Sequence, residues 1–211
     1  MNDYLDYGIS VKVSQSLGSD EGTRWITPIT GGIYYFGEDE VEEQVGKFEF
    51  FHVDLESASG DEMDPWYVLD HLSNTAPFMS LFTKVNGYLQ FHPRICDKEE
   101  FIGFTANLLI GDRLEILPQH RGKGLTTAVF DEIVRLFGQG CSILAIKSFP
   151  LQLEVSFKDN LDKHNLNEWQ KQMALSGLES ATDSATASLT SYYESLGFEC
   201  LNEDGVMFKI L

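Results

Sequence analysis

The stretch Ile116-Leu117-Pro118-Gln119-His120-Arg121-Gly122-Lys123-Gly124-Leu125-Thr126 constrains the fold of this chain more than any other. An apolar run with strand character passes through a short turn punctuated by two glycines and opens directly into an amphipathic helical pattern. A strand–turn–helix unit of this kind belongs to folds in which helices cover a sheet. The turn also gathers several backbone N–H groups at one point, where the helix dipole favours negative charge, and so suits phosphate oxygens. Gly122 and Gly124 have no Cβ to keep a ligand away from the backbone, and Arg121 and Lys123 add cationic donors beside them. The spacing is not that of the Gly-x4-Gly-Lys-Ser/Thr phosphate loop, and the third glycine of the dinucleotide fingerprint is missing.

The flanking patterns alternate between strand and helix. Residues 8–60 read as β-rich, with Ile9–Val13 in strict alternation, Gly32–Phe36 aromatic and β-branched, and Phe48–Leu55 partly alternating. Asp64-Pro65 is a helix start, with Asp as N-cap and Pro at the first helical position, and Trp66, Leu69 and Leu72 follow on one face. A second short helix is expected over Phe78–Val85. Phe104–Leu117 reads as a hairpin turning at Gly111-Asp112. Leu125, Ala128, Val129, Ile133 and Leu136 form a helical stripe between Gly122 and Phe137, ended by Gly138, and Ser142–Ile146 is a buried strand. Residues 150–183 interrupt this rhythm, with Asn165 and Glu168 as a capping pair for a helix carrying Leu166, Trp169 and Met173. A Ser/Thr/Ala-rich linker, Ser180–Ser188, leads to a helix with Leu189, Tyr192 and Leu196, closed by Gly197. A final hairpin, Phe198–Leu201 and Val206–Leu211, turns at Glu203-Asp204-Gly205.

Composition narrows the class. With 211 residues, 43% of them apolar, the chain can bury a substantial core and reads as one mixed α/β domain. No apolar run is long enough to span a membrane, the N-terminus has no secretory pattern, and Cys96, Cys141 and Cys200 make neither a disulfide framework nor a metal site. A cytoplasmic setting is expected, with no metal, and a homodimer is left open. The net charge is −18. Residues 1–100 hold 19 acidic and 6 basic residues against 14 and 9 in the rest, and Lys47 is the lone cation from Glu38 to Asp64. Such a field draws cationic ligands or a basic partner, or serves only as a solvated surface, and it disfavours direct contact with a nucleic-acid backbone.

Gln119, Gly122 and Gly124 satisfy the pattern Gln/Arg-x-x-Gly-x-Gly/Ala, and Tyr193-Glu194-Ser195-Leu196-Gly197-Phe198 satisfies Tyr-x-x-x-Gly-Phe, in that order. On these two motifs the chain resembles the GNAT superfamily of acetyl-CoA-dependent N-acetyltransferases, chiefly over residues 100–211. The resemblance implies a mixed, mostly antiparallel sheet with splayed parallel strands and helices on both faces. It divides the chain into an acidic acceptor side, residues 1–100, and an acetyl-CoA-binding core, residues 101–211, with an insertion near 150–183. Backbone groups across Arg121, Gly122, Lys123, Gly124, Leu125 and Thr126 would hold the pyrophosphate of acetyl-CoA, with Gln119 as the motif's first residue. Ile116 and Leu117 would pair with the pantetheine arm as an added strand. The acetyl group would lie in the gap near the strand ends formed by Ile116 and Ile143, with the N–H near Leu117 as oxyanion donor. Tyr193 would protonate the departing thiolate.

Direct attack by a primary amine also needs a base. Glu115 is the candidate, with Asp112 or a residue of the N-terminal half as alternatives. The chain departs from the family pattern at Thr126, at Thr186 and in the insertion. The expected activity is acetyl transfer to a primary amine, cationic in character. The alternative is a non-catalytic acyl-CoA-binding or protein-interaction module.

Overall fold

A computed structural model describes residues 6–15, 22–37, 42–86, 88–154, 166–178 and 181–211. Its frame is a seven-stranded sheet built from β1 (Tyr7–Val13), β2 (Ile26–Phe36), β3 (Glu42–Val53), β6 (Leu108–Ile116), β7 (Ile143–Lys147), β8 (Glu199–Cys200) and β9 (Val206–Ile210), in the order β1-β2-β3-β6-β7-β9-β8. A small hairpin, β4 (Phe82–Val85) with β5 (Tyr88–Phe91), stands apart. Every pairing in the large sheet is antiparallel except β6 with β7. The fold is therefore mixed α/β with a mostly antiparallel sheet.

Alternation along the strands divides the apolar side chains between two cores. Phe51, Val53, Leu108, Ile110, Ile143, Ala145 and Phe208 point to one face. There they meet α1 (Leu55–Gly60), α2 (Pro65–Asp70) and the 3₁₀ segment Ala76–Leu81. Ile29, Phe48, Phe50, Leu109, Leu144, Ile146 and Met207 point to the other. They are covered by α4 (Leu125–Phe137), through Leu125, Val129, Phe130 and Ile133, and by Tyr193 and Leu196 at the end of α6 (Thr182–Ser195). Helix α3 (Pro93–Cys96) follows the small hairpin, and α5 (Glu168–Gln172) lies in the insertion. Asp64 caps α2 as its sequence predicts, accepting from the Trp66 N–H at 2.9 Å with Pro65 in the first turn.

Four expectations are corrected. Phe104–Leu117 is no hairpin: Leu108–Ile116 is one strand, paired with β3 on one side and β7 on the other, so Gly111-Asp112 lies inside it. Phe78–Val85 is no helix; it divides into the end of a 3₁₀ segment and β4. Asn167 with Gln170, rather than Asn165 with Glu168, forms the capping box of α5, and Asn165 lies outside the described residues. Of the expected linker, residues 182–188 are helical, because Ala185 packs inward and gives α6 a buried contact in its first turns.

Candidate functional site

From Leu117 the chain makes one 3₁₀ turn over Pro118–His120 and reaches α4 through Arg121, Gly122, Lys123 and Gly124. Gly122 and Gly124 take φ values of 71° and 74°, in the left-handed region where any other side chain is strained. The N–H groups of His120 and Arg121 close back on the carbonyls of Leu117 and Pro118, at 2.9 and 3.3 Å. Those of Gly122 through Thr127 meet no acceptor among the described residues, and no side chain caps the helix. They are the orphan donors at the positive end of the α4 dipole. Leu125 and Thr126 turn their side chains inward, which leaves only their backbone to this site, while Gln119 and Lys123 are exposed.

The back of the loop is tied to β1. His120 is buried, and its Nδ1 lies 2.9 Å from the Tyr7 hydroxyl, which also accepts from Lys123 Nζ at 3.1 Å. Burial, and after it the charge of Lys123, holds the His120 imidazole below its usual range, so it is neutral at pH 7. Arg121 turns its guanidinium inward instead: Nε donates to the Ile116 carbonyl at 2.9 Å and Nη2 to the Met173 carbonyl at 2.8 Å.

Backbone direction along β6 follows from one bond. The Leu117 N–H donates to the Val45 carbonyl at 2.9 Å and is thus committed to the β3 side. Antiparallel alternation then turns the N–H and C=O groups of Ile116 and Leu114 the other way. On that side β7 pairs with β6 only from Leu108–Ile143 to Gly111–Ile146, and β6 runs on for five residues beyond. The two strands part there: among the described residues Leu114 and the Ile116 N–H have no partner on that side, while the Ile116 carbonyl accepts from Arg121. An oxyanion donor at this edge would be the N–H of Leu114 or Ile116, not that of Leu117. Ile143 lies at the closed, paired end; the open end is at Ile146 and Lys147.

Where the strands part, β6 carries one residue more than β3: Arg113 faces Glu49 and Gly111 faces Phe50, so Asp112 is a bulge. The bulge gathers polar side chains on the face that carries Phe51 and Val53. Glu49 stands opposite Arg113 and Lys47 opposite Glu115. Arg113 donates to Glu115 at 2.6 Å and to Glu154 at 2.5 and 2.6 Å. Burial would lower the Arg113 pKa, but Glu154 and Glu115 outweigh it and hold the guanidinium charged.

Glu115 also accepts from Trp169 Nε1 at 2.5 Å, and Lys47 Nζ sits 4.2 Å from the Trp169 ring centre. One donor on each oxygen fixes the orientation of this carboxylate. Asp112 is different. It accepts one bond from Asn74 at 2.7 Å, yet its pKa is raised, first by burial and then by the charge of Glu154. Glu49 is raised too, by burial and by Asp112. Alternation could have flagged Glu49, a charge in register with the core residues Phe51 and Val53; the partnerships of Arg113, Glu154 and Trp169 had no local signal.

Tyr193 lies on α6 three residues after Thr190, whose Oγ1 is 3.0 Å from Ser148 Oγ just beyond β7. Its ring packs on Phe130 and Phe198, at 6.3 and 5.8 Å between centres. Its hydroxyl bonds to none of the described residues. Burial, and secondarily Tyr192, pushes its phenol up to about 12. Tyr192 is the exposed member of the pair. Among the described residues, no group of three His, Cys, Asp or Glu side chains is arranged to hold a metal ion, and no helix is long and apolar enough to cross a membrane.

No family model matches the sequence, and no curated protein matches it. Among solved structures the chain is similar to one described as the crystal structure of the KacTA-DNA complex. The identity is 12% over 96% of this chain and 93% of that one, with a TM-score of 0.39. So slight a likeness bears on neither fold nor function.

Proposed function

We propose that the protein is a GNAT-type N-acetyltransferase that moves an acetyl group from acetyl-CoA to a primary amine. One observation carries the reading: the loop whose N–H groups meet no acceptor among the described residues continues directly from the strand that runs on beyond its parallel partner. A ligand with phosphates at one end and an extended amide arm at the other meets complementary groups on both, and acetyl-CoA has that form. The acidic face beside the gap suits a cationic acceptor.

In this reading Asp112, with Glu49 beside it, takes the proton from the acceptor ammonium, and its raised pKa makes it a stronger base than an ordinary aspartate. The free amine attacks the thioester carbonyl, forming the C–N bond. The N–H of Leu114 or Ile116 stabilises the oxyanion. As the C–S bond breaks, the thiolate takes the proton of Tyr193, a phenol that stays protonated at neutral pH, and the tyrosinate recovers a proton from the nitrogen, which sheds its second one as the amide forms. Glu115 holds Trp169 and Arg113 in place. A cytoplasmic setting, with three free thiols, goes with this reading.

Calorimetric titration of the full chain with acetyl-CoA tests it. Saturable binding is expected, and its loss in Gly122→Val and Gly124→Val variants whose circular dichroism is unchanged. A folded parent that does not bind acetyl-CoA overturns the reading. Binding without release of coenzyme A for any amine in a cationic and neutral panel leaves the acyl-CoA-binding module instead.

A further inference from the structure

Arg121 belongs to the anion loop by its backbone but to two other elements by its side chain. Nε holds the Ile116 carbonyl, one of the groups that alternation turns into the gap between β6 and β7. Nη2 holds the Met173 carbonyl, in the segment 166–178 that covers the end of β6. The segment rests there on Leu117 through Met173 and Leu175, and on Glu115 through Trp169. One guanidinium therefore links the open strand edge to the wall on the acceptor side.

We infer that Arg121 is a positioning residue that couples cofactor binding to that wall. The inference rests on the acetyl-CoA reading above. An extended amide arm that pairs with β6 needs the Ile116 carbonyl that Arg121 Nε holds. The two donors compete for one carbonyl oxygen from the same side of β6. Pairing drives the guanidinium off Ile116. The same planar group cannot then keep its geometry on Met173, so the tie to 166–178 is lost. The wall becomes free to adjust to an amine only after the cofactor is seated, which orders the two substrates. Both partners of this guanidinium are neutral carbonyls, which hold it less tightly than a carboxylate would.

Hydrogen exchange followed by mass spectrometry on the full chain tests this. Saturating acetyl-CoA should speed exchange of the amides in 173–178 by about tenfold, the effect of losing one charge-assisted hydrogen bond. Adenosine 3′,5′-bisphosphate carries the 3′-phosphate and the first phosphate of the pyrophosphate without the arm and, at a concentration that saturates the loop, should leave exchange there as in the free protein. In Arg121→Gln the same amides should exchange fast without ligand and respond no further, and the amine should bind without acetyl-CoA present, which it should not do in the parent. Unchanged or slower exchange at 173–178 in parent protein that binds acetyl-CoA overturns this inference alone. Equal release by the bisphosphate overturns it as well. No binding of acetyl-CoA removes the enzyme reading and this inference with it.

Discussion

Replacing Asp112 with Asn should make the protein more stable and the enzyme much slower. Asp112 lies in the β6 bulge, where burial and the charge of Glu154 raise its pKa in spite of the bond from Asn74 and the field of Arg113. A carboxyl with a raised folded pKa binds its proton more tightly in the native state than in the unfolded chain. Stability therefore falls as pH rises from the unfolded value through the folded one, and the cost persists at neutral pH. Asn has the same shape, keeps an acceptor for Asn74 Nδ2 and carries no charge, so it recovers that cost. Because Asp112 is only part-buried, solvent screening limits the gain to about 1 kcal/mol or less. For a chain of this length that is a rise in Tm of about 2–4 °C. As the proposed base, the same residue should lower kcat by about 10²–10⁴-fold when removed. Thermal unfolding of parent and variant at pH 7.5 and again at pH 3 measures the first effect, and the difference should shrink at the lower pH, where the parent's carboxyl is protonated. A variant less stable than the parent at pH 7.5 refutes the electrostatic argument, and unchanged kcat refutes the role as base.

Three other substitutions probe separate parts of the molecule. Tyr193→Phe should leave stability within about 0.5 kcal/mol, since its hydroxyl bonds to no described residue, while kcat drops; equal kcat would remove the proton-donor role. With its phenol near 12, Tyr193 should give no alkaline limb to the pH–rate profile below about pH 11. Arg113→Met leaves Glu115 and Glu154 without their cation and should cost about 2 kcal/mol in urea unfolding, a value reduced for partial exposure. Ile133→Ala, at a position with no exposed surface between α4 and the sheet, should cost about 2–5 kcal/mol without changing KM for acetyl-CoA.

The parts legible in advance are those governed by neighbours a few residues apart. Strict alternation marked Ile9–Val13, and the Leu125–Leu136 stripe with Gly138 marked α4. Asp64-Pro65 marked the start of α2. Gly122 and Gly124 marked a turn whose left-handed φ values only glycine adopts without strain. The hairpin expected at Gly111-Asp112 failed for an instructive reason. Gly-Asp is a fair turn pair locally, but Ile110 and Gly111 have strands on both sides, and the ladder to β3 and β7 outweighs a two-residue preference. The pair marks a bulge instead of a turn.

Composition, periodicity and motif spacing by themselves determined a mixed α/β chain, its main strands and helices, and a loop suited to an anion at the start of α4. These properties depend on dihedral preference and side-chain direction over one or two turns. Tertiary structure alone decided which way the backbone groups at the end of β6 point, because the bond from Leu117 to Val45 sets that direction across 72 residues of chain. It also decided that Glu115 is locked by Arg113 and Trp169 while Asp112 is left with a raised pKa, and that Arg121 faces inward. A carboxylate's basicity follows from the charges, donors and solvent around it, and those come from strands and segments far away in the sequence.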